Sequence, residues 1–123
     1  MTARILVVDD VEANVRLLEA KLTLEYYDVL TCQDGATALK MAAAEQPDII
    51  LLDVMMPGKS GFEVCQAVRA DEALAAVKIL MLSAKGRDTD LAKGSALGAD
   101  AYMTKPFSTR ELAEKVRDLL GPA

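Results

Sequence analysis

The chain has 123 residues, 52% of them hydrophobic and 27% charged, a globular balance long enough to bury a core without disulfide or metal staples, and it reads as one domain over 1–123. Nineteen acidic against fourteen basic side chains leave a net charge of -5, and with no basic run interleaved with aromatics there is no basis for direct nucleic-acid binding. No apolar stretch reaches the roughly 20 residues of a bilayer crossing and MTARILVVDD lacks a signal-peptide cleavage region, so the expected location is the cytoplasm, with no membrane contact.

Short Ile/Val/Leu runs alternate with longer stretches of helical period, the pattern of βαβ units whose strands are buried on both faces, which predicts an α/β fold. The first run, Ile5-Leu6-Val7-Val8, precedes a helix with Val11, Val15, Leu18 and Leu22 on one stripe facing the sheet. A weaker strand from Asp28 to Cys32 leads through Asp34-Gly35 into an alanine-rich helix to about Ala44, closed by Gln46-Pro47. The third run, Ile49-Ile50-Leu51-Leu52, is the most hydrophobic and so the most central, and it passes straight into Asp53 and the turn Met56-Pro57-Gly58. Ser60 and Glu63 have the spacing of a capping box and open the third helix. A fourth strand, Ile79 to Leu82, runs out to Ser83-Ala84, and a polar segment with Asp88 and Asp90 opens a weak helix containing Gly94 and Gly98. The fifth strand, about Ala101 to Thr104, leads to Lys105-Pro106, after which Ser108 and Glu111 form a second capping box for a last helix with stripe Leu112, Val116 and Leu119.

In an open parallel sheet, ligands sit outside the carboxyl ends of the strands. Those ends here carry Asp9-Asp10, Asp53, Ser83 and Thr104-Lys105. Any one of these Asp residues could equally be a loop start or helix cap, as Asp10 could be for the first helix; their joint occurrence at neighbouring strand ends is what signals a site. Three carboxylates together repel by a few kcal/mol per pair at an effective dielectric of about 20, so a hard divalent cation is expected, and Mg2+ fits because it takes one or two carboxylates and keeps waters. Three carboxylates, one ammonium and one such cation balance in charge. A carboxylate is a competent nucleophile toward phosphorus. The absence of histidine removes Ser-His-Asp and Cys-His mechanisms and a nitrogen ligand for zinc, which leaves Cys32 and Cys65 as core thiols.

The segments ILVVDD at 5 to 10, DIILLDVMMPG at 48 to 58, MLSA at 81 to 84 and GADAYMTKPF at 98 to 107 together resemble the receiver domains of bacterial two-component response regulators. The first sixty residues are most similar to the leading receiver of a regulator that makes cyclic di-GMP, and no cyclase sequence occurs in this chain. The resemblance implies a flavodoxin-like doubly wound (βα)5 fold with a five-stranded parallel sheet in the order 2-1-3-4-5. It implies a phosphorylation-dependent switch, not an enzyme beyond its own phosphorylation and dephosphorylation. Position by position, Asp53 resembles the phosphoacceptor, Asp10 a direct Mg2+ ligand, Asp9 an acid that holds the ion through water, and the Met55 backbone carbonyl a further ligand. Ser83 and Lys105 resemble the groups that receive phosphoryl oxygens, Tyr102 the aromatic that swings inward, and Lys105-Pro106 the family's cis peptide. Pro57 and Gly61 match the loop shaping the site, and Ser60 stands where Asp is frequent.

By the same resemblance the phosphoryl donor is a histidine kinase or phosphotransfer protein. The output is an effector protein or domain, or a second copy in a homodimer, reading the face of the fourth helix, fifth strand and fifth helix. The loop with Gly86 is the expected bistable element, and Met55 and Lys85 border the path of attacking water and are expected to set the phosphate lifetime. A haloacid-dehalogenase phosphatase would want an acid where Met55 stands. A flavodoxin carrying FMN would want a Ser/Thr/Gly loop where Asp9-Asp10 stand. A receiver-like module that only binds partners would lack a site residue, and none is lacking.

Overall fold

The alternation of apolar runs and amphipathic stretches resolves, in a computed structural model that describes residues 2–56, 58–84 and 88–121, into β1 (Arg4–Val8), α1 (Glu12–Leu24), β2 (Asp28–Cys32), α2 (Gly35–Glu45), β3 (Ile49–Asp53), α3 (Gly61–Ala70), a 3-10 turn (Glu72–Leu74), β4 (Lys78–Ala84), α4 (Asp88–Ala96), β5 (Ala101–Lys105) and α5 (Thr109–Leu120). The strands form one parallel sheet in the order β2-β1-β3-β4-β5, the doubly wound flavodoxin-like arrangement that the family resemblance implies. Pro57, Lys85 and Gly86, to which the sequence assigns loop roles, lie outside the described residues.

Side-chain alternation along the strands divides the core in two. Leu6, Val8, Ile50, Leu52, Ile79 and Met81 pack against α2 and α3 through Ala38, Ala42, Val64, Cys65 and Val68. Ile5, Val7, Leu51, Leu80 and Leu82 pack on the other face against α1 and α5 through Leu18, Leu22, Leu112 and Val116. β3 is buried at all five positions, consistent with its place between β1 and β4 and with the four apolar residues that precede Asp53. Both cysteines are free and buried. Burial is the main cause pushing the Cys32 thiol up to about 11, which keeps it protonated and unreactive. Among the described residues no helix is long and apolar enough to cross a membrane.

Local chemistry explains most element boundaries, and a few differ from expectation. Ser60 accepts from the Glu63 amide while the Glu63 carboxylate accepts from the Ser60 amide, a complete capping box for α3. At α5 only the serine arm is described: Ser108 Oγ accepts from the Glu111 amide at 3.0 Å. Val11 does not join the buried stripe of α1; it is the extended residue before the helix and is 48% exposed. Asp10 does not cap α1 either: Val11 takes the N-cap position with no side-chain cap, and Asp9 Oδ1 accepts the Val11 amide at 2.9 Å. The 3-10 turn is too short to show a period in sequence; Asp71 Oδ1 fixes it by accepting from the Ala73 amide at 3.0 Å. The Lys105-Pro106 peptide is cis, as expected.

Candidate functional site

Asp9 and Asp10 follow the last residue of β1, Asp53 ends β3, and Lys105 ends β5, so parallel pairing delivers all four to one edge of the sheet. Oxygens of Asp9, Asp10 and Asp53 all lie within 4.8 Å of one another. Lys105 Nζ reaches over them, 3.2 Å from Asp9 Oδ2 and 3.5 Å from Asp53 Oδ1. Asp9 is 1% and Asp53 5% exposed, whereas Asp10 is the open member of the group. Burial is the largest cause holding the Asp53 carboxyl up at about 6; Lys105 and the Met55 amide pull it down, and Asp9 and Asp10 push it further up. The cluster therefore lacks positive charge even with its lysine in place, and three hard carboxylate oxygens this close fit a small oxygen-seeking divalent cation.

The acid that ends β3 is held by its own neighbours. Its Oδ1 accepts from the Met55 amide at 3.3 Å, while the Met55 side chain is exposed. Val54 continues the ladder past the strand by donating to the Leu82 carbonyl at 2.9 Å. Gly61 opens α3 directly against this turn: a Cβ there would collide with the Asp53 carbonyl oxygen and lie 2.8 Å from Val54 Cα. Absence of a side chain at Gly61 is thus what lets α3 start so close to Asp53.

Asp53 pairs in register with Leu82 of β4, which places buried Ser83 one step further along, opposite Thr104 of β5. Tyr102, opposite Met81 in the same ladder, is half-buried on the α3 side of the sheet. A Cβ at Gly94 of α4 would lie 3.6 Å from its ring, an ordinary contact, and 3.0 Å from Met81 Sδ, so the ring lies beneath α4 and it is Met81 for which the missing side chain makes room. Every residue expected to serve the site, apart from the loop positions outside the described residues, is brought to this edge or directly behind it.

Two features escaped the sequence. Asn14, near the start of α1, donates from Nδ2 to Asp9 Oδ2 at 3.3 Å. Beside it, a cavity of about 250 Å³ opens onto Asp9 and Lys105 and is walled by Asn14, Leu17, Pro106 and Phe107. A lone polar residue on a helix carries no signal of its direction until the strand-end acid it faces is known.

Residues 5–117 match the family described as response regulator receiver domain. Among curated proteins the chain is 53% identical over 119 residues to the response regulator PleD of Caulobacter vibrioides, covering 97% of this chain and 26% of that protein. It is 49% identical over 120 residues to the alkaline phosphatase synthesis transcriptional regulatory protein PhoP of Bacillus subtilis, covering 98% of this chain and 49% of that one. The chain thus spans about a quarter to a half of these relatives. Among solved structures it superposes with a TM-score of 0.90 and 30% identity on the receiver domain of the sensor histidine kinase PA1611 of Pseudomonas aeruginosa, over 99% of this chain and 100% of that one. That structure has a magnesium ion coordinated in its active-site cleft.

Proposed function

The chain belongs to the response regulator receiver domain family, and on that premise we propose that it is a phosphorylation-dependent switch, one receiver unit over 1–123, with Asp53 as phosphoacceptor. The observation that carries the reading is the buried Asp53 carboxylate beside two other carboxylates and one ammonium at the carboxyl edge of the sheet. Asp10, Asp53 and the Met55 carbonyl would hold Mg2+, with Asp9 acting through water. When bound, the ion supplies positive charge that ionises the acids and balances a phosphoryl group.

Asp53 then forms a bond to phosphorus as the bond to the donor breaks, and the leaving group, the imidazole of a phosphohistidine in a histidine kinase or phosphotransfer protein, takes its electron pair. Lys105 shifts from the carboxylates to one phosphoryl oxygen, and the Ser83 hydroxyl donates to another. Movement of Ser83 draws Tyr102 inward beneath α4 and alters the α4-β5-α5 face, which an effector or a second copy reads. Met55 and Lys85 set how fast water removes the phosphate. The setting is cytoplasmic.

Incubation with Mg2+ and acetyl phosphate, followed by intact mass, tests this directly. One phosphoryl adduct is expected for the wild type and none for Asp53→Asn. Absence of any adduct in the wild type at saturating Mg2+ overturns the assignment.

A further inference from the structure

Asp9 is almost wholly buried, yet both of its oxygens are satisfied. Oδ1 accepts from the Val11 amide at 2.9 Å, and Oδ2 accepts from Asn14 Nδ2 at 3.3 Å and from Lys105 Nζ at 3.2 Å. The amide must present its nitrogen, because its own oxygen would repel a carboxylate. One Asp9 oxygen therefore has two donors of different kinds. Lys105 is charged, on a long flexible stem, and is shared with Asp53 at 3.5 Å. Asn14 is neutral, short, and fixed on α1 near its start.

We propose that Asn14 is a positioning residue that holds the Asp9 carboxylate in place when Lys105 leaves it for the phosphoryl group. This rests on the reading of Asp53 as phosphoacceptor. Once Lys105 turns to the phosphate, Asp9 Oδ2 would lose its last protein donor were Asn14 absent and would depend on water alone, and a buried carboxylate oxygen short of donors is costly. With Asn14 present, the departure of Lys105 exchanges one of two donors instead of removing the only one. Asn14 thereby lowers the barrier to releasing the lysine without touching phosphorus itself.

The test uses acetyl phosphate, a donor small enough to need no protein docking surface, so that any part Asn14 plays in contacting a kinase is silent. Asn14→Ala is expected to slow labelling at saturating Mg2+ by about threefold to tenfold. Its Mg2+ affinity before phosphorylation, from calorimetric titration, is expected to change by less than about twofold, because Lys105 still holds Asp9 in that state. Asn14→Asp keeps the shape but loses the donor and adds a charge, and should label more slowly than Asn14→Ala. Asn14→Gln, which keeps the donor on a longer arm, should recover part of the rate. Equal labelling by wild type, Asn14→Ala and Asn14→Asp, each shown folded by its thermal transition, overturns this role while leaving Asp53 as acceptor intact. Rate and unphosphorylated Mg2+ affinity falling in parallel would also overturn it, since Asn14 would then serve only the resting site. A wild type that takes no phosphate fails the earlier reading instead.

Discussion

Asp53 sits where burial and two like charges oppose its ionisation, and one lysine does not fully offset them. In protein stripped of divalent cations its carboxyl stays near 6 in the fold, against an ordinary unfolded value of about 4. The sign follows from linkage. Below about pH 4 both states carry the proton and the fold loses nothing. Between about 4 and 6 the unfolded state ionises first, so stability falls as pH rises. Above about 6 the whole penalty is present, on the order of 2 kcal/mol. Asp53→Asn is therefore expected to raise urea-unfolding stability of the cation-free protein by on the order of 2 kcal/mol near pH 7.5, with the gain shrinking toward zero near pH 4. A gain independent of pH would assign the effect to packing instead of charge.

At the scale of elements, the junction of α3, β4 and β5 hangs on one side chain. Arg69 near the end of α3 donates from Nε to the Gly98 carbonyl at 2.8 Å, from one terminal nitrogen to the Val77 carbonyl at 2.8 Å, and from the other to Asp100 Oδ2 at 2.6 Å. The same Asp100 oxygen accepts the Ile79 amide at 2.8 Å. Replacing this fork strands two carbonyls and a carboxylate that are only partly open to water. Arg69→Met, which keeps the apolar stem, is expected to cost about 2–4 kcal/mol in chemical denaturation. Arg69→Lys should recover less than half of that, because one compact ammonium cannot reach all three acceptors that the spread guanidinium serves. Nothing in the sequence announced this knot, since its partners lie 8 to 31 residues away and periodicity reports only which face of an element is apolar. By contrast β3 was readable from IILLD, the α3 start from Ser60 and Glu63, and the clustering of Asp9, Asp10, Asp53 and Lys105 from the rule that strand ends converge. Val11 failed as a core residue because spacing alone does not say where the helix begins.

For the whole molecule, a cation that binds only the folded edge stabilises every element by mass action. Adding Mg2+ should raise the melting temperature of the wild type in proportion to the logarithm of its concentration once above the dissociation constant, with chelation reversing the rise. The shift should be smaller for Asp53→Asn, measured by calorimetry. The sheet order carries one more consequence. Its three adjacent strands β2, β1 and β3 come from the first 53 residues, while β4 and β5 are added in turn to one side. All three acids thus belong to the early part of the chain, and Ser83 and Lys105 arrive with its later part. In the folded sheet, the negative charge gathered at the ends of β1 and β3 meets its ammonium only where β5 is laid down beside β4. A sheet without β5 would keep all three carboxylates and lack the lysine that sits over them, so it is the last strand that brings the ammonium to the acids.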